Sequence, residues 1–145
     1  MQQIISRVAA HNSNLYPKNR IPDNKNIIAK YAHGNPCCLA LYDASLFGFG
    51  DGGFLITYDG IWWCDSAEDK LIGFQWKDIK DVYFYGSGDI SVNGKVIHLK
   101  NKAQKLTQKI KDVVGDKNTH MKEEARQLAQ MILDLRALFV NHFPQ

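Results

Sequence analysis

The residues that could carry chemistry are a glycine-rich run, five histidines, three cysteines and a set of scattered aspartates. Gly48-Phe49-Gly50-Asp51-Gly52-Gly53 satisfies GxGxxG. A dinucleotide site needs a helix N-terminus after such a loop, so that its N–H groups meet the pyrophosphate. Here the apolar run Phe54 to Tyr58 follows, which reads as a strand. Asp51 also sets a negative charge where a phosphate would lie, and the chain lacks the HRD and DFG motifs of a kinase. The run therefore reads as a hairpin loop.

The histidines are His11, His33, His98, His120 and His142, and no two stand at HxxxH or HExxH spacing. Cys37, Cys38 and Cys64 form no CxxC and read as reduced structural thiols. Asp43, Asp51, Asp59 and Asp65 fall at strand ends; turn chemistry accounts for Asp59 and Asp51, and positions alone make no acid–base pair of the set. With no GxSxG either, no catalytic residue, metal ligand or cofactor site is assigned.

The elements that would position these residues follow from pattern. The chain has 145 residues, 45% apolar and 23% charged, the make-up of one globular domain. The longest apolar run, Cys37 to Tyr42, is too short to cross a bilayer. Residues 1–12 lack the apolar stretch of an export signal, so the expected location is cytoplasmic. The net charge of +3 divides unevenly: +4 over residues 1–35, −5 over 36–99 and +4 over 100–145.

A short helix over residues 1–12 would bury Ile4, Ile5 and Val8. His11 to Pro22 reads as a loop, and Asp23 caps a second short helix carrying Ile27, Ile28 and Tyr31. Seven strands follow at close spacing: Cys37–Asp43, Phe54–Tyr58, Ile61–Cys64, Leu71–Trp76, Asp81–Tyr85, Ile90–Val92 and Lys95–Leu99. Asp59-Gly60 and Asn93-Gly94 mark two tight hairpins. Strands this close, with no helix between them, mean an antiparallel sandwich or barrel. Helices are expected over 102–114 and from Asn118 or Thr119 onward. The last has the stripe Met121, Ala125, Leu128, Ile132, Leu135 and Phe139, widened by Met131 and Leu138.

Tight two-residue turns set Thr57 opposite Trp62 and Ile56 opposite Trp63 in the first hairpin, and Ser91 opposite Val96 in the second. Phe54, Ile56, Ile61 and Trp63 then face inward, and Leu55 and Trp62 outward. Val82 and Phe84 point in, Tyr83 and Tyr85 out. His98 lies on the outer face with Ser91 and Val96. Both sheet faces are apolar, so something covers the second one. The N-terminal Ile4, Ile5, Val8, Ile27, Ile28 and Tyr31 are the cover expected from within the chain, and a partner or second copy is the alternative.

The sequence resembles bacterial pleckstrin-homology-like domains. The resemblance is carried by Leu41-Tyr42-Asp43 through Phe47-Gly48, by Gly53 through Trp63, by Phe74-Gln75-Trp76-Lys77-Asp78-Ile79 and by the Ile90–Lys95 hairpin, and spans roughly residues 36–142. It implies an α+β fold: a seven-stranded antiparallel barrel plugged by the C-terminal helix. Residues 1–35 form an N-terminal helical and loop extension, and residues 36–145 the barrel with its C-terminal helices. The family serves in lipid, protein and self-association contacts.

The expected function is therefore a non-catalytic interaction module that binds a protein or itself, with Trp62, Leu55, Tyr83 and Tyr85 as the contact residues. A peripheral anionic-lipid contact is the alternative, through a lysine rim at residues 95–111 that includes Lys95, Lys100, Lys102, Lys105 and Lys109. A small enzyme is the second alternative. Lipid-binding members clamp phosphates with Lys or Arg near the first hairpin loop, yet Asp43 to Gly53 holds neither and has two Asp besides. Specific inositol-phosphate binding is not expected there. No aromatic residue interleaves the lysines to stack bases, which argues against nucleic acid.

Overall fold

A computed structural model describes residues 2–12, 14–21, 38–44, 52–66, 69–86, 88–99 and 119–142. The helix expected after Asp23, Cys37, His33, most of the glycine run, Lys100 to Lys109 and the helix expected over 102–114 lie outside the described residues.

The chain is α+β. Helix α1 (Gln2–Ala9) leads into β1 (Leu15–Pro17) and a 3-10 turn, Lys18–Arg20. Then come β2 (Cys38–Asp43), β3 (Gly53–Thr57), β4 (Gly60–Cys64), β5 (Ile72–Gln75) and a second 3-10 turn, Trp76–Asp78. Strands β6 (Val82–Phe84), β7 (Ile90–Val92) and β8 (Lys95–Ile97) precede the long helix α2 (Thr119–His142). The strands form two antiparallel sheets, one ordered β1-β2-β3-β4-β5 and one ordered β6-β7-β8.

All seven expected strands are present, but they do not close into one seven-stranded barrel. The ladder breaks after Gln75. There Trp76 turns into the core, 1% exposed, and its backbone enters the 3-10 turn. Its indole N–H donates to the Thr57 carbonyl at 2.9 Å. The eighth strand, β1, lies in the segment expected to be a loop. It adds to the edge of β2, and Pro17 is tolerated because an edge strand need not donate on both sides.

The two hairpins differ in how far their sequences specify them. In the second, Ser91 pairs with Val96 as expected, with Asn93 and Gly94 at φ of 52° and 81°. Those angles suit a two-residue turn between twisted strands. In the first, Ile56 pairs with Ile61 and Leu55 with Trp62, so the expected register is corrected by two residues. The Thr57 hydroxyl explains the wider turn. It accepts the N–H groups of Asp59 and Gly60, each at 3.2 Å, and donates to the Gly60 carbonyl. A slip of two keeps every side chain on its face.

The main core lies between the inner sheet faces and α2. Phe54, Ile56, Ile61 and Trp63 face it, with Tyr42 stacked on Phe54 at 5.1 Å. Helix α2 buries Ala125, Leu128, Met131, Ile132, Leu135 and Phe139, and packs on β6, β7, the Trp76 turn and α1. Phe139 stacks flat on Trp76 at 4.9 Å. The expected inward pair Val82 and Phe84 divides: Val82 is buried, whereas Phe84, at the last rung of β6, is 39% exposed.

The second face of the larger sheet holds Cys38, Leu41, Leu55 and Cys64, with Tyr16, Ile21, Trp62 and Leu71 packed against them. The N-terminal segment does contribute to this cover, but through Tyr16 and Ile21. Ile4, Ile5 and Val8 instead join the main core, which corrects the expected role of the first helix.

Two outcomes test this packing. Leu135 is fully buried, and Leu135→Ala should cost about 2–5 kcal/mol in denaturant titration. Thr57→Val should cost about 1–3 kcal/mol, because buried N–H groups lose their acceptor. Thr57→Ser should recover most of that loss.

Candidate functional site

The outer face of the smaller sheet is a grid set by register. Tyr83 pairs with Ser91, and Ser91 with Val96. One step further along, the Tyr85 N–H donates to the Asp89 carbonyl at 2.9 Å, and Asp89 Oδ2 lies 3.4 Å from His98 Nδ1. Two rows result, Tyr83–Ser91–Val96 and Tyr85–Asp89–His98, and strand alternation puts all six on one face.

The rows are tied by the Tyr85 hydroxyl, which donates to Ser91 Oγ at 3.2 Å. Ser91 is fully buried beneath its neighbours. Tyr83, Tyr85 and Val96 remain 59%, 43% and 41% exposed. Ser91 Oγ thus takes its hydrogen bond from the Tyr85 phenol. The grid offers a broad aromatic surface with a hydroxyl and an imidazole at its rim, which suits contact with another macromolecule.

The four contact residues expected from sequence therefore sit on two sheets. Leu55 is fully buried on the second face of the larger sheet. Trp62 is half-buried beside it, and its indole N–H donates to Thr57 Oγ1 at 3.1 Å. The indole also crosses Gly73, where any Cβ would meet Trp62 Cε3 at 2.7 Å. Tyr83 and Tyr85 belong to the exposed grid of the smaller sheet. Of the lysine rim, Lys95 is exposed at the start of β8, and Lys100, Lys102, Lys105 and Lys109 lie outside the described residues.

Cys38 and Cys64 are buried within the second-face cluster. Among the described residues, no group of three His, Cys, Asp or Glu gathers as a metal site would. No described helix is long and apolar enough to cross a membrane.

One polar cluster has no signal in the sequence pattern. Tyr42 on β2 is fully buried, and its hydroxyl donates to Glu124 Oε1 on α2 at 2.5 Å. The same oxygen accepts from Asn12 Nδ2 at 3.0 Å, and Asn12 Oδ1 accepts the Asn14 N–H at 3.1 Å. The partners stand 82 and 112 residues apart, so no local spacing announces them. Beside the cluster is an open hollow of about 310 Å³ lined by His11, Glu123, Glu124 and Gln127.

Burial pushes the Tyr42 pKa well above its ordinary value, and the Glu124 carboxylate pushes it further the same way. A raised native pKa favours the protonated phenol in the folded state. That stability is fully present below the unfolded tyrosine value of about 10 and is lost as pH rises toward the higher native value. Chemical denaturation at rising pH should show the loss beginning near the unfolded tyrosine value of about 10. Tyr42→Phe should remove this part of the alkaline loss and cost about 1–3 kcal/mol at neutral pH.

No family model matches the chain, and no curated protein or solved structure matches it either.

Proposed function

We propose that this chain is a non-catalytic interaction module that docks a protein partner on the outer face of β6–β8. Its architecture supports reading it as a pleckstrin-homology-like domain. Strands β2–β5 and β6–β8 supply the seven strands of that element order, and α2 follows and packs into the core. The bend at Trp76 divides the strands four and three, with β1 added at the edge of the first group.

The observation that carries the proposal is the exposure of Tyr83 and Tyr85, with Val96 across Ser91 from them, on one sheet face. By contrast, Tyr42, Phe54 and Trp63 on the larger sheet, and Trp76 in the turn that follows it, are each no more than 2% exposed, while Phe84 at the end of β6 is 39% exposed on the other face. An aromatic patch left in water by such a chain is where binding energy is concentrated. Leu55 and Trp62 then serve the fold, as the chain itself covers them, and Tyr83 and Tyr85 serve the partner.

A photo-crosslinking amino acid placed at position 83 tests this in living cells. Position 140 is the control, because Val140 is 46% exposed on α2 and remote from the grid in sequence. The expected result is a discrete protein adduct from position 83 and none of that size from position 140. Equal labelling from both positions, or none from position 83, would overturn the proposal.

A further inference from the structure

The hydrogen bonds of β6 fix which way its backbone groups point. The Asn93 N–H donates to the Asp81 carbonyl at 2.8 Å, and the Tyr85 N–H to the Asp89 carbonyl at 2.9 Å. In an antiparallel ladder, bonded and non-bonded pairs alternate. Asp81, Tyr83 and Tyr85 therefore turn their N–H and C=O groups toward β7. Val82 and Phe84 turn theirs the other way, and among the described residues no further strand pairs with β6. An edge of this kind, carrying exposed aromatics, is a template for another strand.

We propose that the strand it takes is β6 of a second copy of this chain, paired antiparallel about a two-fold axis at Tyr83. This rests on the interaction-module reading and names its partner. The two three-stranded sheets would join into one continuous sheet.

Self-complementarity selects this occupant. With the axis at Tyr83, Val82 faces Phe84 of the partner subunit and forms the bonded pair on each side. Both outward-directed residues of β6 are then used, and no residue outside the strand is needed. Tyr83 meets the partner's Tyr83 in the non-bonded position, where side chains approach most closely. Asp81 faces the partner's Tyr85, and Lys80 faces the partner's Gly86, so no like charges are opposed. Moving the axis to Val82 would call on Lys80, whose N–H already donates to Asn93 Oδ1 at 2.8 Å. Moving it to Phe84 would run the ladder into the Gly86 turn.

The test uses charge at the axis. Tyr83→Lys alone and Tyr83→Glu alone each place like charges against themselves, whereas a mixture places opposite charges together. Sedimentation velocity over about a hundredfold range of concentration should find the unaltered chain in monomer–dimer equilibrium. Each variant alone should be monomeric, and the equimolar mixture should regain the dimer. Val140→Lys, at an exposed position on α2 outside the grid, should leave the dimer intact.

Tyr83 is exposed, so both variants should keep the thermal unfolding of the unaltered chain. Tyr83→Cys gives an independent reading. Cα atoms of a non-bonded pair lie about 4.5 Å apart, within disulfide reach, so mild oxidation should link two chains through position 83. Val140→Cys should give no such link. A mixture that stays monomeric while the unaltered chain dimerises would overturn the two-fold register. A chain that is monomeric throughout would overturn the second copy as occupant. In that case an adduct from position 83 to a different protein would leave the interaction-module reading standing, and no adduct would remove both.

Discussion

Thr57 is the point on which the two sheets, the helix and both tryptophan-bearing faces depend. Its hydroxyl builds the β3–β4 turn by accepting from Asp59 and Gly60, and it also accepts the indole N–H of Trp62 on the second face. Its carbonyl accepts the indole N–H of Trp76 on the core side. Trp76 held there ends the first sheet and offers its ring to Phe139 of α2. A buried threonine at the end of a strand thus couples the turn, the cover of one face and the docking of the helix on the other. Burial makes the coupling strict, because a buried donor that loses its acceptor also loses water as a substitute.

That coupling gives the exposed aromatics their meaning. The larger sheet is apolar on both faces and is covered on both: by the core and α2 on one side, and by a small cluster with Tyr16, Ile21 and Trp62 on the other. The smaller sheet receives α2 on the face that carries Val82, Ile90, Val92 and Ile97. Its outer face keeps Ser91 and Asp89 buried under a rim of tyrosines, a valine and a histidine. Scattered exposed apolar residues are ordinary on any protein surface. Tyr83, Tyr85 and Val96 are not scattered. Tyr83 and Tyr85 are neighbours on one face of β6, and Val96 lies across Ser91 in the Tyr83 row, an arrangement that sets a surface patch apart from incidental exposure.

The sequence was most legible where a local rule leaves one answer. Asn93-Gly94 must accept positive φ at both turn residues, and the register of Ile90 to Ile97 followed from it. The stripe of α2 was equally plain, since five of its expected positions from Ala125 to Phe139 are buried. Asp59-Gly60 pointed to the right hairpin and to the wrong register, because the Thr57 side chain widens the turn and no dipeptide rule contains it. The faces survived, since a slip of two preserves alternation. Strand β1 was hidden because three residues, Leu15 to Pro17, carry no periodicity and gain strand geometry only by adding to β2. The break between the sheets and the Tyr42–Glu124 bond were hidden for a related reason: each is made by partners distant in the chain. The contact residues divided in the same way. Alternation put Leu55, Trp62, Tyr83 and Tyr85 on outer faces, but which outer face the chain itself covers is a tertiary matter.

The two margins of the smaller sheet also bear on how an open edge is kept from uncontrolled association. An edge strand that pairs head to tail with an unlike edge leaves another edge behind, and growth continues. Pairing of β6 with its own copy about a two-fold axis consumes the same edge on both chains, so association closes at two. The opposite margin, β8, begins with the exposed Lys95, and a lysine on an edge opposes strand addition because its charge would have to be desolvated. On the proposed pairing, exposed aromatic residues lie on the margin that closes at two, and a lysine stands on the margin that is left open.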